Sequence, residues 1–417
     1  MSGVTTTTRP TRMAGVVSSL RGGSRGVRLL LIFGGALLVM SLVRVLTGAQ
    51  ELTSAGTLGA AVALAVPIGL AGLGGLWSER SGVVNIGLEG MMILGTWGAG
   101  WAGSTRGVWA GLVVGVAMGA AGGLLHAVAT VTFGVDQIIS GVAINTLALG
   151  TGQFLSRSAF HGQATQSPEI PGMGTFTVPW LPGAMESLET HHWFLVSDLA
   201  GIVRAVTEQV PYFTVLAIAM LPLTYVILWR TAFGLRLRSC GEAPYAAETL
   251  GVNVYKYKYI AVVVSGALAG FGGAFLAIFS GIYREGQTAG RGFIGLAAMI
   301  FGNWRPGGLA AGAGLFGYTD ALQARSDEGV HALLLLLALF LAGFGVLLLV
   351  RRRYASAGVS LAIAAAAAIW YLRTDTLPQE LVYATPYVTT LLVLSVASQR
   401  LRMPAADGLI YRRGEGR

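Results

Sequence analysis

Residues 57–103 read TLGAAVALAVPIGLAGLGGLWSERSGVVNIGLEGMMILGTWGAGWAG. Two apolar runs, 57–77 and 84–103, flank a short polar turn that begins at Glu79 and Arg80. About 20 apolar residues cross a bilayer as a helix, so this stretch reads as two membrane spans joined by a tight turn. Working outward, the same pattern recurs at 28–46, 107–131, 136–155, 212–230, 259–280, 289–302, 307–323, 331–350, 355–372 and 382–397. The fold class expected is an all-α polytopic membrane protein with about 12 transmembrane helices. The runs at 289–302 and 382–397 are short, so broken, tilted or part-spanning helices are expected there.

Composition agrees. Of 417 residues, 54% are hydrophobic and 11% charged, against about 25% charged in an ordinary soluble domain. That excludes a soluble enzyme, a disordered chain and a disulfide scaffold. Cys240 is the single cysteine, which allows no intramolecular disulfide. The net charge of +9 comes without a long basic tract, so no nucleic-acid partner is expected. The charges punctuate the apolar runs instead. With the N-terminus inside, 20 of the 28 Lys and Arg residues fall on the inner side. That bias predicts N-in, C-in topology. The first run is longer than a signal-peptide core and lacks a clear cleavage site, so it is expected to stay as a helix.

The runs divide the chain into a cytoplasmic tail (1–27), a core (28–323), an additional apolar pair (324–379), and a last core helix with its cytoplasmic tail (380–417). Two soluble segments interrupt the core. Residues 156–211 form a long external loop, read either as a packed cap or as a docking surface or gate. Residues 231–258 form the longest internal loop between helices. Glycines at 111, 115 and 119, at 266 and 270, and at 308 and 312 recur at four-residue spacing. In lipid that spacing lets helix backbones approach closely. Gly111-Leu112-x-x-Gly115 matches Gly308-Leu309-x-x-Gly312 on spans of opposite expected direction, a hint of an inverted repeat.

Three motifs carry functional promise. In Glu79–Gly90, Asn85 and Glu89 sit within an apolar segment, where polar groups are tolerated only against protein or water. They are read as a kinked wall of a solute pathway, with satisfied helix ends as the alternative. In the internal loop, Gly241–Gly251 reads as a short cytoplasmic helix: Pro244 suits a first turn, Ala246, Ala247 and Glu248 are helix formers, and Gly251 suits a C-terminal stop. Ala247 and Leu250 are expected to share a face. A docking helix and a plain surface loop are both open at this point. The stretch Tyr283–Phe293, with Gln287 and Thr288, is read either as the outer rim of a pathway or as a solvated turn. There is no P-loop, so ATP hydrolysis is not expected in this chain. No HExxH or His–Cys cluster suggests a metal, and the pair His191–His192 reads as a surface feature.

ERSGVVNIGLEGMMILG (79–95) closely resembles the signature of permease subunits of bacterial ABC importers, best the nucleoside-type branch that works with basic-membrane-lipoprotein binding proteins. The broader group includes ribose and branched-chain amino acid permeases. GEAPYAAETLGVNVYKYKYIAVVVSGALAGFGGAFLAI (241–278), GRGFIGLAAMIFGNWRPGGLAAGAGLFGYTDALQ (290–323) and TPYVTTLLVLSVASQRLRMPAADGLIYRRG (385–414) resemble the same branch, in family order. The resemblance implies a type II importer-like bundle with an inverted repeat, set in the plasma membrane of a bacterium. It implies a second permease subunit (a copy or a paralogue), ATPase subunits that bind ATP and Mg, a substrate-binding lipoprotein, surrounding membrane lipid and a small-molecule solute. Residues 241–251 match the family's coupling segment, which makes Gly241, Glu242, Ala246, Ala247, Leu250 and Gly251 the candidate contacts with the ATPase. Asn85, Glu89, Gln287 and Thr288 become candidate pathway residues. No cofactor is expected in this chain. The functions this leaves are a nucleoside importer permease, a sugar importer permease, and a stand-alone secondary transporter. The pair of segments within 324–379 departs from the family pattern.

Overall fold

A computed structural model describes residues 25–160, 165–397 and 401–414. Most of the expected tail 1–27 therefore lies outside the described residues. All twelve apolar runs fall on helices. They are α1 (Arg25–Thr47), α2 (Ala55–Arg80), α3 (Leu88–Arg106), α4 (Val108–Ala127), α5 (Gln137–Ala159) and, after the external loop with α6 (Leu181–Thr190) and α7 (Val196–Ala205), α8 (Tyr212–Arg230). The loop at 231–258 holds α9 (Ala232–Glu242) and α10 (Pro244–Thr249). There follow α11 (Val254–Phe279), α12 (Arg291–Phe301), α13 (Pro306–Arg325), α14 (Asp327–Val350), α15 (Tyr354–Arg373) and α16 (Gln379–Ala397).

Among the described residues, seven helical segments are long and apolar enough to cross a membrane by length and composition. The run at 289–302 is the clearest departure from a full span. Its helix, α12, has 11 residues, or about 16 Å at 1.5 Å per residue, half of a hydrocarbon core of about 30 Å. The run at 84–103 also changes: residues 81–87 are non-helical and α3 begins only at Leu88.

Helix α11 is the centre of the molecule. It is the most buried of the spans, and small residues make that possible. A Cβ placed on Gly119 of α4 would come within 2.3 Å of the Gly266 carbonyl oxygen, and one on Gly270 within 2.6 Å of the Gly115 carbonyl oxygen. The glycine spacings at 115–119 and 266–270 thus mark one close antiparallel crossing, while Gly111 packs on Ala99 and Gly103 of α3. Helix α13 crosses α2 in the same antiparallel sense, through Gly317 on Ala61 and Ala65, and Leu309 on Gly72. Helices α2 and α11 themselves run antiparallel, with Gly74 on Ser265 and Gly272 on Pro67. The set α2–α3–α4 therefore pairs with α11 as the set α11–α12–α13 pairs with α2.

The segment 156–211 packs against the helix ends next to it. A two-residue antiparallel pair, Thr175–Phe176 with Val210–Pro211, closes its second part, which holds α6 and α7. Buried Asp198 of α7 accepts hydrogen bonds from Ser41 and Thr53 and forms a 2.8 Å ion pair with Arg44 of α1. Burial pushes the Asp198 carboxyl up, but those three partners together bring it below the usual range. Helices α14 and α15 pack chiefly on each other, and most of their outward residues are exposed.

Candidate functional site

The polar residues of the Glu79–Gly90 motif hold an extended strip in place. Backbone groups of residues 82–87 lie outside any helix or sheet, the first N–H groups of α3 have no partner within the helix, and buried backbone groups must find partners. Neighbouring helices supply them. Lys258 Nζ donates to the Gly82 carbonyl (3.0 Å), and the Ser78 hydroxyl to that of Val83 (2.6 Å). The Val84 N–H donates to Gln137 Oε1 (2.6 Å), while its carbonyl lies 3.0 Å from His126 Nε2. Asn145 of α5 clamps both sides of the next turn: its Nδ2 donates to the Ile86 carbonyl (3.1 Å), and its Oδ1 accepts from the Gly90 N–H (2.7 Å).

Asn85 is fully buried. Its Oδ1 accepts from the Gly87 N–H (3.1 Å) and its Nδ2 donates to the Ser265 hydroxyl (2.9 Å). Glu89, 7% exposed, accepts from the N–H groups of Gly290 (2.9 Å) and Gly292 (2.7 Å) at the start of α12. The carboxylate thus lies where the N-termini of α3 and α12 meet, and both helix dipoles favour a negative charge there. The expectation that Asn85 and Glu89 face an open cavity is corrected. Within this subunit both are enclosed, and helix ends take up their polar atoms. The reason is local: starting α3 and α12 inside the bundle leaves orphan N–H groups that need acceptors.

Gln287 is half-buried, and its Oε1 accepts from the Arg284 N–H in its own turn. Thr288 is buried and does not form part of an open rim. Among the polar groups that do reach the surface nearby are Arg284, Glu285, Gln153 of α5, which donates to Glu285, and, further along α5, exposed Thr146 and half-buried Asn145. Sequence reasoning missed Asn145, Lys258 and His126. Asn145 and His126 carried the same signal that singled out Asn85, a polar side chain inside an apolar run, whereas Lys258 sits just before a run and carried none.

The second site lies where the C-terminal end of α2 meets the N-terminal end of α11, on the loop 231–258. The single helix expected over 241–251 is split. Gly241 and Glu242 close α9, Ala243 breaks the chain direction (φ −151°, ψ 79°), and α10 starts at Pro244 as expected. Gly251 adopts φ +81°, the left-handed stop foreseen. Ala247 and Leu250 do not share a face. Ala247 is 2% exposed, packed with Cys240, Val254 and Tyr411, whereas Leu250 is 84% exposed. The C-terminal residues 401–414, far away in sequence, cover the Ala247 side. What remains open is Glu242, Ala243, Ala246, Thr249, Leu250 and Gly251. Gly241 is buried on the Arg80 carbonyl, which a Cβ there would approach to 2.4 Å. Burial pushes the Cys240 thiol up to about 11, so it is not a reactive thiolate near neutral pH.

A family described as branched-chain amino acid transport system / permease component matches residues 57–343. The chain belongs to that family. Like its relatives, it is an integral membrane permease component. It is 39% identical over 272 residues to the guanosine ABC transporter permease protein NupQ of Bacillus subtilis, covering 63% of this permease and 80% of the relative. It is 38% identical over 266 residues to the nucleoside ABC transporter permease protein NupC of Lactococcus lactis, covering 61% and 78%. It is 35% identical over 277 residues to the putative glucose ABC transporter permease protein TsgC13 of Haloferax volcanii, covering 66% and 79%. No solved structure matches this permease. Among the described residues, no group of His, Cys, Asp or Glu side chains is arranged to hold a metal ion.

Proposed function

We propose that this chain is the membrane-spanning permease subunit of an ATP-driven importer for nucleosides, working in a bacterial plasma membrane. The observation that carries the solute class is its 39% identity to a guanosine permease protein over most of that relative's length. ATP and Mg belong to partner ATPase subunits, a second permease completes the pathway, and a lipoprotein delivers the solute. The topology is N-in, C-in with about 12 crossings. The two matched helix sets form an inverted repeat, supported by their equivalent pairings.

The geometry supports a direct mechanical route. Movement of α9–α10 on an ATPase acts on Gly241, which rests on Arg80 and Gly82. Arg80 also lies 3.7 Å from Glu242 and donates to the Trp304 carbonyl (2.7 Å). The strip 81–87 then carries the displacement to Asn85 and Glu89, and so to the start of α12. The pathway runs along the exposed face of α5, past Asn145, Gln153 and Gln287, where a second permease would close it. Asn85, Glu89 and Thr288 act from behind, by fixing the backbone that borders it. Hydrogen-bonding groups without a tight site suit a polar ribose and a flat base that must be released.

Reconstitution with the partner subunits and lipoprotein tests the reading. Nucleosides are expected to stimulate ATP hydrolysis and sugars are not. Stimulation by sugars alone would assign the chain to the second reading, a sugar permease, which the 35% identity to the glucose protein favours. Uptake without any ATPase would make it a stand-alone carrier.

A further inference from the structure

The C-terminal segment is not a loose tail. Among residues 401–414, the Arg402 N–H donates to Asn303 Oδ1 (2.7 Å), the Ala405 N–H to Glu242 Oε2 (3.2 Å), and the Ala406 N–H to the Gly241 carbonyl (2.9 Å). Tyr411 is buried, with its ring centroid 5.3 Å from those of both Tyr245 and Tyr255. Arg413 pairs with Glu248 at 3.3 Å but is 81% exposed, and exposed pairs of that kind contribute little. Backbone bonds and the Tyr411 ring therefore anchor the segment. It is strapped across the internal loop from the end of α9 to the start of α11.

Its outward side is unusual for a surface in water. Met403 is 59% exposed, Leu409 61% and Ile410 45%, beside a loop whose Leu250 is 84% exposed. Scattered apolar side chains need no explanation, but exposed ones gathered on two segments packed together, the strap and the loop beneath it, mark an interaction surface. The charges around it are mostly basic: Lys256, Arg305, Arg402 and Arg412 are exposed, beside Glu242 and the partly exposed Glu248. A strip of this kind fits a partner with an apolar depression bordered by carboxylates.

We propose that residues 403–410 are the second half of the ATPase-docking surface, continuous with the open face of α10. This rests on the coupling role proposed above for the internal loop. The ATPase subunit is the occupant because the strip is fixed to the segment that it would move. Strap and coupling segment then move as one body. The strap also explains why Ala247 is buried: the tail positions α10, and Leu409 and Ile410 extend the contact.

The test co-expresses the chain with its ATPase and second permease, and compares Leu409→Asp/Ile410→Asp with Leu250→Asp. Each variant is measured for membrane content, ATPase retained on purification, and solute-stimulated hydrolysis. The tail variant is expected to retain the ATPase at least about tenfold less well, the scale on which losing a central apolar contact acts, with membrane content unchanged. In a Cys240→Ala background, Leu409→Cys is expected to crosslink to the ATPase. Loss with Leu250→Asp but normal retention with the tail variant would overturn the tail proposal and leave the coupling reading standing. Normal retention with both would remove the coupling reading as well. A tail variant that keeps its ATPase but loses affinity for anionic vesicles would assign the strip to the lipid surface and overturn the proposal.

Discussion

Glu89 illustrates what one side chain does inside the bundle. It satisfies two buried N–H groups on another helix, Gly290 and Gly292, 201 and 203 residues away in sequence. Leaving buried donors unpaired costs about 1–3 kcal/mol each. Glu89→Ala is therefore expected to lower the thermal unfolding midpoint and abolish uptake, with Glu89→Gln milder because it keeps an acceptor. A melting curve beside an uptake assay checks this. Equal stability of all three proteins would remove the cap. Asp407 offers a pH test. Burial pushes its carboxyl up to about 7, only partly offset by a hydrogen bond from Glu79 and by the charges of Lys258 and Arg80. In the undocked tail the value reverts to about 3.9. The docked form then holds the extra proton, so strap docking weakens as pH rises from about 4 to about 7 and is level above that. Proteolysis of the tail is expected to be faster at pH 8 than at pH 5, and Asp407→Asn is expected to flatten the difference.

At the scale of elements, the glycine-paired crossing of α4 and α11 leaves no room for a side chain. Gly119→Ala puts a Cβ 2.3 Å from a carbonyl oxygen of α11. Overpacking of this kind costs about 1–3 kcal/mol. Gly314→Ala, on α13 with nothing within 4 Å, is the matched control and is expected to be neutral. Thermal unfolding in detergent distinguishes them, and equal midpoints would refute the close crossing. The additional pair α14–α15 behaves differently. His331 near its start lies 3.1 Å from Thr374 Oγ1 at its end, so the hairpin closes on itself. Val330 and Ala332 pack at its base with Leu322 and Val382, while its far part touches little else. Deleting residues 327–373 and joining the ends is expected to preserve membrane assembly and uptake with some loss of stability. Loss of all uptake by a normally assembled deletion would place the pair in the transport route.

For the whole molecule, the sequence by itself determined where the helices lie, because hydropathy is a local property. The twelve apolar runs became helices. The Pro244 start and the Gly251 stop held, because caps depend on neighbouring residues. The glycine spacings identified the helices that approach closely, since only a missing Cβ permits it. The tertiary structure decided everything that needed a distant partner. Nothing within 79–95 reveals that Glu89 accepts from residues 290 and 292, and so a polar pair that reads as a cavity wall became a buried joint. Nothing within 241–251 reveals that a segment beyond residue 400 covers Ala247, and so a helix face read as shared by Ala247 and Leu250 divided into a buried and an open side. Backbone groups taken out of water must be satisfied by whatever side chain lies nearest, and which one lies nearest is fixed by packing rather than by sequence order.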